Sequence, residues 1–478
     1  MTEDKAMSEG GRRALYLRPW HAFVYDGHEY VLNTGRLLTR RVRPGFIATL
    51  ERLAADPLAP RTDDDELELF QLELASAEPV PVGMDEAPPP RTPPPITSIN
   101  LMVAQRCNLR CIYCYGGGGE YGDAGMMSEA TARRTVDWLI GQAGERTRLS
   151  ISFFGGEPLL ALPLVKSTVV YAREAAAAAG KSFGFAVCTN AMLLDDATIA
   201  YIKDNDIRAL VGFDGPPEIH DRNRPRADGG PSSPVFLEHA RRLTEEMPDA
   251  ANFRATIWRS EDLPAVVDYL GRFCGGSYQT AFAAACLHDG EPGQGEGLPS
   301  PADGIGFARE SIAAFVDAVR RGDEAEVSRY ARWLDFGAAL ALLGPQRPQR
   351  AHCGVGSSMA GVGADGTLYA CHRFVGSPEH VIGDVFAGTG DRDRFVNKPT
   401  FRTEPCASCW ARPYCVGGCL HYNLGATGDM FTPSDDWCRL VKAWIEGGIH
   451  LDHELTEGDK ELLYEHKLVA RRPCPYDL

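Results

Sequence analysis

The sequence predicts an α/β fold built around a parallel sheet, and two observations support this prediction. Six apolar runs rich in β-branched and aromatic residues recur between positions 97 and 285, and stretches with helical spacing separate them. Strands that alternate with helices form either an open doubly wound sheet or part of a barrel, and both bind ligands at the carboxyl ends of the strands. The six runs are TSINLMVA, RLSISFF, FGFAVCT, RALVGF, ANFRATIW and SYQTAFAAA.

Other local signals predict a small α+β module before this sheet. The run WHAFVYDGHEYVLNT alternates around Asp26 and Gly27, a pair typical of a two-residue β-hairpin, and a helical pattern, RPGFIATLERLAA, follows it. Residues 79–96 contain eight prolines, which favour a stiff, extended linker. Within the larger region, Ser128 is placed to cap a helix that begins at Glu129.

Charge and hydropathy exclude several classes of partner. Acidic residues outnumber basic ones by 65 to 49, which gives a net charge of −16 and disfavours a general nucleic-acid-binding surface. The amino terminus has no apolar core typical of a signal peptide, and the chain contains no run of about 18 apolar residues. We therefore expect a cytoplasmic protein with no membrane partner and with reduced cysteines.

Three cysteines, Cys107, Cys111 and Cys114, precede a run of four glycines in CNLRCIYCYGGGG. A structural zinc site normally has four protein ligands, and no fourth thiolate or histidine lies nearby in the sequence. Thiolates also hold iron–sulfur clusters, and three of them leave one metal position open. Spacing alone leaves zinc as the alternative.

A second group of seven cysteines lies in a region with few long periodic segments. A small domain that buries little apolar surface is commonly held together by metal, and this region has the ligands for it. Iron–sulfur clusters and zinc are both open on spacing alone. The seven are Cys353, Cys371, Cys406, Cys409, Cys415, Cys419 and Cys438.

The cysteine triplet, its aromatic and glycine-rich continuation, and FGGEP after the second predicted strand resemble the radical S-adenosylmethionine (SAM) enzymes. The resemblance implies a partial (β/α)6 TIM-like barrel in which the triplet binds a [4Fe–4S] cluster and SAM chelates the open iron. The resemblance places Asp214 at the ribose of SAM and Arg254 at its methionyl carboxylate. An Asp-Gly turn explains Asp214 equally well, and a salt bridge explains Arg254 equally well. The implied SAM-binding residues are Tyr113, Gly155, Gly156, Glu157, Pro158, Thr189, Asn190, Asp214 and Arg254.

The second group resembles the SPASM extension of radical SAM enzymes, in the order Cx12Gx4C, a gap, CxxCx5CxxxC, a gap, and C. The resemblance implies two auxiliary [4Fe–4S] clusters, and hence three clusters in all. The implied ligands of the first are Cys353, Cys371 and Cys419, and those of the second are Cys406, Cys409, Cys415 and Cys438. We therefore expect an α+β module at 1–78, a linker at 79–96, the partial barrel at 97–325, the SPASM domain at 326–445 and a tail at 446–478.

Several segments, including CHRFVG, are similar to peptide maturases that form thioether links, namely the ranthipeptide maturases and the quinohemoprotein amine dehydrogenase maturase. This similarity implies an oxidoreductase that abstracts hydrogen from a ribosomally made precursor peptide and crosslinks two side chains. A thioether is the expected product, and an electron donor such as flavodoxin or ferredoxin is an expected partner. The amino-terminal module would recognise the precursor by β-strand addition, or would serve as a structural cap.

Two other functions stay open at this point. Anaerobic sulfatase maturases, which make formylglycine, carry a catalytic aspartate directly after the cysteine that matches Cys371, whereas this chain has His372. Histidine also moves protons, so His372 is a candidate catalytic residue under either enzyme hypothesis. The third possibility is a metal-stabilised protein that binds a peptide without modifying it.

Overall fold

The structure is a computed structural model that describes residues 14–78, 92–284, 298–343, 353–397, 403–415 and 417–465. Most of the predicted proline linker, residues 79–91, lies outside the described residues. None of the described helices combines the length and apolarity that a bilayer span requires.

The amino-terminal module contains a three-stranded antiparallel sheet in the order β2-β3-β4. The predicted hairpin is confirmed: β2 and β3 pair from Trp20↔Asn33 to Tyr25↔His28, with Asp26 at φ 47° and Gly27 at φ 74° in the turn between them. Two left-handed residues give the turn the twist that antiparallel strands need. The elements are β1 (Tyr16–Leu17), β2 (Trp20–Tyr25), β3 (His28–Asn33), β4 (Leu38–Val42), α1 (Phe46–Ala55), α2 (Asp63–Gln71) and β5 (Ala75–Ser76).

All six predicted strands are confirmed, and they pair in parallel in their order along the chain, from β6 to β11. Ser128 caps α3 as expected, since its side chain accepts a hydrogen bond from the Thr131 N–H. The elements are β6 (Ser98–Ala104), α3 (Glu129–Gln142), β7 (Arg148–Gly155), α4 (Leu162–Ala178), β8 (Ser182–Thr189), α5 (Asp196–Asp204), β9 (Ile207–Gly212), α6 (Pro217–Asn223), α7 (Ser233–Glu246), β10 (Ala251–Ile257), α8 (Leu263–Phe273) and β11 (Tyr278–Phe282).

The cysteine-rich region continues this same sheet. Strand β12 pairs in parallel with β6, on the side opposite β7, and β13, β14 and β15 then extend the sheet in antiparallel fashion to ten strands. The elements are α9 (Gly304–Arg321), α10 (Glu324–Ala331), α11 (Leu334–Leu340), β12 (Met359–Val362), β13 (Thr367–Tyr369), β14 (Val381–Asp384), β15 (Gly388–Thr389), α12 (Asp393–Val396), α13 (Arg412–Cys415), α14 (Leu420–Thr427), α15 (Asp435–Glu454) and α16 (Glu457–Glu465).

Helix α15 differs from the sequence-based expectation of a region without long periodic segments. It runs for 20 residues and crosses the expected boundary between the SPASM domain, which was to end at position 445, and the tail, which was to begin at position 446. Gly447 and Gly448 hide the helix in the sequence because glycine is a poor helix former. In the structure they allow close packing: a Cβ atom on Gly447 would lie 2.1 Å from Cδ1 of Ile312, and one on Gly448 would lie 2.8 Å from the carbonyl oxygen of Ala339.

The amino-terminal sheet packs against this helix and against the segment that follows Cys409. The hydroxyl of Tyr30 bonds Nδ1 of His450 on α15 at 2.9 Å. The ring of His21 stacks on that of Trp410 with centroids 3.7 Å apart. The module and the carboxyl-terminal region therefore share one apolar core, which consists of Phe23, Tyr25, Tyr30, Leu32, Leu342, Ala411, Ile445 and Ile449.

Replacement of Tyr30 by alanine tests this shared core. Tyr30 is fully buried, so its loss leaves a cavity between β3 and α15, and we expect the free energy of unfolding to fall by about 3–5 kcal/mol. Phe70→Ala is the control, because Phe70 is 78% exposed and its loss should change stability by no more than about 0.5 kcal/mol. Denaturant unfolding of both variants measures the difference, and equal effects would contradict the shared core.

Candidate functional site

The sequence motifs meet at one edge of the parallel sheet. The cysteine triplet follows β6, the first glycine of GGEP ends β7, Thr189 ends β8, and Asp214 follows β9. Carboxyl ends of neighbouring parallel strands lie side by side, so the motifs converge as expected. The loop with the triplet is also tied across the edge, because the Ile112 N–H donates to the Asn223 carbonyl oxygen at 3.0 Å.

A cavity of about 170 Å³ opens at this edge, and all three cysteines of the triplet line it. Glu157, Pro158 and Asp214 lie buried behind its wall. The structure thus brings the predicted SAM-binding residues into one region but divides them between the wall and the layer that supports it. The predicted residues on the wall are Tyr113, Gly155, Gly156, Thr189, Asn190 and Arg254.

Glycines 155 and 156 are required by the close approach of two backbone segments. Gly155 has φ 136°, and a Cβ atom there would lie 2.1 Å from the carbonyl oxygen of Ala104. A Cβ on Gly156 would lie 2.3 Å from the carbonyl oxygen of Arg106. The N–H of Gly156 donates to Ala104 at 2.8 Å, which joins the turn after β7 to the end of β6. A side chain at either glycine would separate these segments.

Glu157 supports this turn from behind the cavity wall. Its Oε1 accepts hydrogen bonds from the Leu159 N–H at 2.9 Å and the Thr189 hydroxyl at 2.8 Å, and its Oε2 accepts one from the Asn190 N–H at 2.7 Å. Burial raises the pKa of Glu157 to about 7, against the three hydrogen bonds that lower it. Its carboxylate therefore joins the ends of β7 and β8, and a direct contact with SAM stays a prediction.

Asp214 plays a similar supporting part. The carboxylate accepts hydrogen bonds from the Tyr113 hydroxyl at 2.5 Å and the Thr256 N–H at 3.0 Å. It also forms an ion pair with Arg224 at 3.0 Å, and its side chain is fully buried. In this arrangement Asp214 orients Tyr113 and Arg224, and the predicted ribose contact stays a prediction.

Arg224 is a cavity residue that the sequence analysis did not single out. Gly212 makes room for it, since a Cβ atom on Gly212 would overlap the guanidinium. Burial raises the pKa of Cys111 to about 12, and the charge of Arg224 opposes this rise. A cation beside a thiolate of the triplet favours an anionic group at that place. The sequence signal that could have indicated Arg224 is the group of basic residues that follows Asp214.

The chemistry of this site fits an iron–sulfur cluster. The three thiol groups of the triplet and the guanidiniums of three arginines line the cavity, and four glycines keep part of its wall free of side chains: Gly118, Gly119, Gly155 and Gly156. Among the described residues, no three histidine, cysteine, aspartate or glutamate side chains are arranged around a single-ion site. A cluster contains several irons, so its cysteines stand around a cavity rather than around one point.

The structure divides the second group of cysteines into the two sets that the resemblance implied. Cys406, Cys409, Cys415 and Cys438 line one cavity of about 20 Å³. The other three lie close enough for their charges to interact: burial raises the pKa of Cys371 to about 12, and Cys353 and Cys419 act in the same direction. The metal ligation of both sets stays a prediction.

His372 lies behind the cavity wall rather than on it. Its ring packs against Phe154 with centroids 4.4 Å apart, and its Nδ1 lies 3.5 Å from Sγ of Cys371. Burial lowers the pKa of His372 well below its usual value, so the imidazole is neutral. The following residue, Arg373, reaches the wall, and the sequence analysis missed it. A catalytic role for His372 stays a prediction.

Replacement of Gly119 by alanine tests whether the glycine-rich turn positions the triplet. Gly119 has φ 89°, and a Cβ atom there would lie 2.8 Å from Cβ of Cys107 and 2.7 Å from Cα of Gly156. The backbone strain alone costs about 1–3 kcal/mol, so we expect lower iron content after reconstitution. Gly125→Ala in the same loop is the control, because a Cβ on Gly125 meets nothing within 4 Å. Unchanged iron in the Gly119 variant would contradict this role.

Comparison with known proteins gives matches to the barrel and to most of the chain. Residues 101–262 match the model of the Radical SAM superfamily. An uncharacterized protein of Methanocaldococcus jannaschii is 35% identical over 133 residues, which are 28% of this chain and 43% of that protein. The cysteine-type anaerobic sulfatase-maturating enzyme of Clostridium perfringens is 22% identical over 370 residues, which are 74% of this chain and 96% of that enzyme.

A solved structure supports the fold. The structure of native anSMEcpe with bound AdoMet and Cp18Cys peptide matches with a TM-score of 0.61 at 21% identity, over 76% of this chain and 100% of that one. At this identity the likeness shows the architecture alone. The superfamily match, with the parallel sheet and the cysteine triplet at its carboxyl edge, identifies residues 101–262 of this chain as a radical SAM domain.

Proposed function

We propose that the protein is a cytoplasmic peptide maturase that links the sulfur of a cysteine to a carbon of another residue in a ribosomally made precursor peptide. One observation carries the proposal. The cavity that contains the triplet also reaches Arg373, two residues after Cys371 of the first auxiliary set. A peptide in this cavity would lie between the triplet and the segment that carries Cys371, and joining a carbon radical to a sulfur requires such a position.

The residues of the barrel would hold the cofactor in defined ways. When bound, SAM and a [4Fe–4S] cluster supply a 5′-deoxyadenosyl radical, and two auxiliary clusters supply an electron acceptor. Cys107, Cys111 and Cys114 would hold the first cluster. The glycine walls would admit the cofactor, and Thr189 and Asn190 would present polar groups to it.

The proposed reaction is a two-electron oxidation in which the peptide loses two hydrogens. One hydrogen leaves the carbon with 5′-deoxyadenosine, the thiol loses a proton, and one electron passes to the protein as the carbon–sulfur bond forms. An electron donor such as flavodoxin or ferredoxin would supply the electron that each SAM cleavage consumes. The chain's own contribution is to hold the peptide in place and to exclude water and other quenchers.

The first auxiliary set supports thioether formation because the resemblance assigns it three cysteines, Cys353, Cys371 and Cys419, and these three lie near one another in the structure. A cluster with three protein ligands has an open iron, and a substrate thiolate is a suitable fourth ligand because metals bind thiols in the deprotonated form. His352, which precedes Cys353 in the sequence and has a side chain that can bind metals, lies outside the described residues. We therefore propose an open iron that takes the substrate cysteine.

The amino-terminal module is the proposed recognition site for the precursor. Strands β2 and β4 each pair only with β3 among the described residues, so each has an edge to which an extended peptide could add. The solved relative with bound Cp18Cys peptide supports a peptide as the substrate of this fold. The packing of the module on α15 would bring a bound leader close to the auxiliary region.

A second candidate is a sulfatase maturase that converts a cysteine or serine to formylglycine. Relatives that bear this activity by name favour it, among them the serine-type enzyme of Klebsiella pneumoniae, which is 23% identical over 354 residues. His372, in the place of the catalytic aspartate of that family, argues against it. Burial also lowers the pKa of His372, which makes its imidazole a weaker base than an exposed one.

Replacement of Cys107, Cys111 and Cys114 together by alanine tests the cofactor assignment. We expect the variant to lose one cluster and all 5′-deoxyadenosine release while the auxiliary iron persists, because the auxiliary cysteines lie in separate sets. The control is Cys188→Ala, which removes a thiol from the same cavity and should keep the full iron content. Continued SAM cleavage by the triple variant would overturn the assignment.

Mass spectrometry of a modified precursor tests the product. Incubation of the peptide encoded beside the gene with reconstituted enzyme, SAM and dithionite should remove two hydrogens and block alkylation of one cysteine. A peptide with that cysteine replaced by serine is the control and should stay unlinked. An aldehyde at the cysteine position would support the sulfatase maturase instead, and loss of two hydrogens with a free thiol would indicate a carbon–carbon or carbon–oxygen link.

A further inference from the structure

The cavity of the second auxiliary set and the core of the amino-terminal module share wall residues. Cys409, Ala411 and Val441 all line the cavity in which the four thiols of this set meet. Ala411 also belongs to the apolar core that the module shares with α15, and Cys409 and Val441 pack against that core. The module therefore backs one wall of the second cysteine site.

A stacked pair of rings joins the module to the loop that carries Cys409. The ring of His21 on β2 stacks on that of Trp410, the next residue along the loop, with centroids 3.7 Å apart and planes 6° from parallel. Nε2 of His21 also lies 3.0 Å from Oε1 of Glu446 on α15, in hydrogen-bond contact, and both side chains are only 19% exposed. His21 thus contacts both segments that bring cysteines to the second site, the loop and the helix.

Helix α15 presents a cysteine of the second set and its contacts with the module on one face. Cys438, Val441, Ile445 and Ile449 follow one another at intervals of three or four residues, which places them along the same side of a helix. Val441 lines the cavity, while Ile445 and Ile449 belong to the core shared with the module. A shift of the module on this helix would therefore also move the segment that holds Cys438.

The loop from Cys406 to Cys415 has little regular structure of its own. Apart from the single turn of α13, it is held by local hydrogen bonds, such as that from the Cys409 N–H to the Cys406 carbonyl oxygen at 3.2 Å. A segment with so few regular backbone bonds takes its position from the groups that pack against it. The ring of His21 is one of these groups, because stacked aromatic pairs add stability beyond the area that they bury.

We propose that the amino-terminal module is part of the second auxiliary site, and that His21 is a positioning residue whose stack on Trp410 couples occupation of this site to docking of the module. The proposal rests on the predicted cluster at the four cysteines and on no step of the proposed reaction. A ligand that binds only the arranged thiols stabilises that arrangement, and a coupling free energy acts equally in both directions. A precursor that shifts the module on binding would therefore act on the second site as well.

The triplet and the first auxiliary set provide an internal reference. Among the described residues, no cysteine of either set belongs to the core shared with the module or packs against it. Cys371 of the first set is instead part of the core of the large sheet. A change in the docking of the module should therefore affect the second set alone, and this selectivity separates coupling from a general loss of stability.

Chelation and alkylation of the reconstituted full-length protein test the coupling. A ferrous chelator removes iron, iodoacetamide labels each released thiol, and peptide mass spectrometry assigns each label to its cysteine. In His21→Ala we expect the second set to be labelled about three to ten times faster than in the wild type, because the loss of an aromatic pair changes an equilibrium by about that factor. Labelling of the triplet and of the first set should stay within about twofold of the wild type.

Two further variants separate the ring from the strand that carries it. His21→Phe keeps a ring that can stack on Trp410 but loses the bond to Glu446, and it should retain most of the protection of the second set. Val24→Ala is the matched control, because Val24 lies on the same strand and is 58% exposed. Its labelling pattern should equal that of the wild type.

Hydrogen exchange measures the coupling in the reverse direction and needs no substitution in the module, which covers the case in which His21→Ala fails to fold. In the wild-type chain, the amides of β2 and β3 should exchange more slowly after reconstitution than in the metal-free protein. Replacement of Cys406 and Cys409 by serine should remove this difference, whereas replacement of Cys353 by serine should preserve it.

Each outcome decides the proposal. Selective labelling of the second set in His21→Ala, with slower exchange of the module on reconstitution, supports it. Equal acceleration at all three sets overturns it, as do unchanged labelling, unchanged exchange or a wild-type second set that binds no iron. The same acceleration in His21→Phe also overturns the stack as the coupling contact. Since neither measurement uses SAM or a peptide, the result is independent of whether the precursor assay shows a crosslink, and the two failures are distinguishable.

Discussion

The buried carboxylate of Glu157 is the interaction on which the rest of the site depends. It joins the turn after β7 to the last residue of β8 and to Asn190 beyond it. Its own N–H donates to the carbonyl oxygen of Arg106, one residue before the cysteine triplet. Three strand ends are thereby held at fixed positions, and the cavity residues at those ends take their places from them. Because the carboxylate is fully buried, loss of any one donor would leave a strongly polar group without compensation.

A comparable arrangement organises the other side of the cavity. Asp214 holds Tyr113 through its hydroxyl and Arg224 through an ion pair, so that an aromatic ring and a cation face the triplet in fixed orientations. In both cases an acidic residue that the family motif suggests as a ligand contact lies behind the wall and orients residues on it. In the described part of the chain, Arg254 and Arg373 form no ion pair of this kind, and this difference separates the region around the triplet from the region near the first auxiliary set.

The strands and the convergence of the motifs could be predicted because both depend on local pattern. Alternation of apolar runs with helical stretches specifies parallel strands, and a strand end specifies an edge. Arg224 and Arg373 could not be ranked in this way, because a single arginine in a loop carries no periodic signal and its importance arises from what folds against it. Helix α15 was missed because two glycines resemble a helix end until Ile312 and Ala339 are seen to pack against them. Local pattern also gives no sign of the contact between the amino-terminal module and α15, because it joins residues more than 400 positions apart, such as Tyr30 and His450.

The parallel pairing of β12 with β6 sets the spacing of the two cysteine regions. Four consecutive pairs, from Met359↔Ser98 to Val362↔Leu101, join strands that lie far apart in sequence. The triplet follows β6 in the sequence, and Cys353 and Cys371 lie on either side of β12. A backbone ladder in the interior of the ten-stranded sheet therefore determines the separation of the two cysteine regions. Side-chain substitutions on the surface leave such a ladder intact. Substitutions on the cavity wall can therefore change what the cavity accepts, while the distance between the two cysteine regions stays constant.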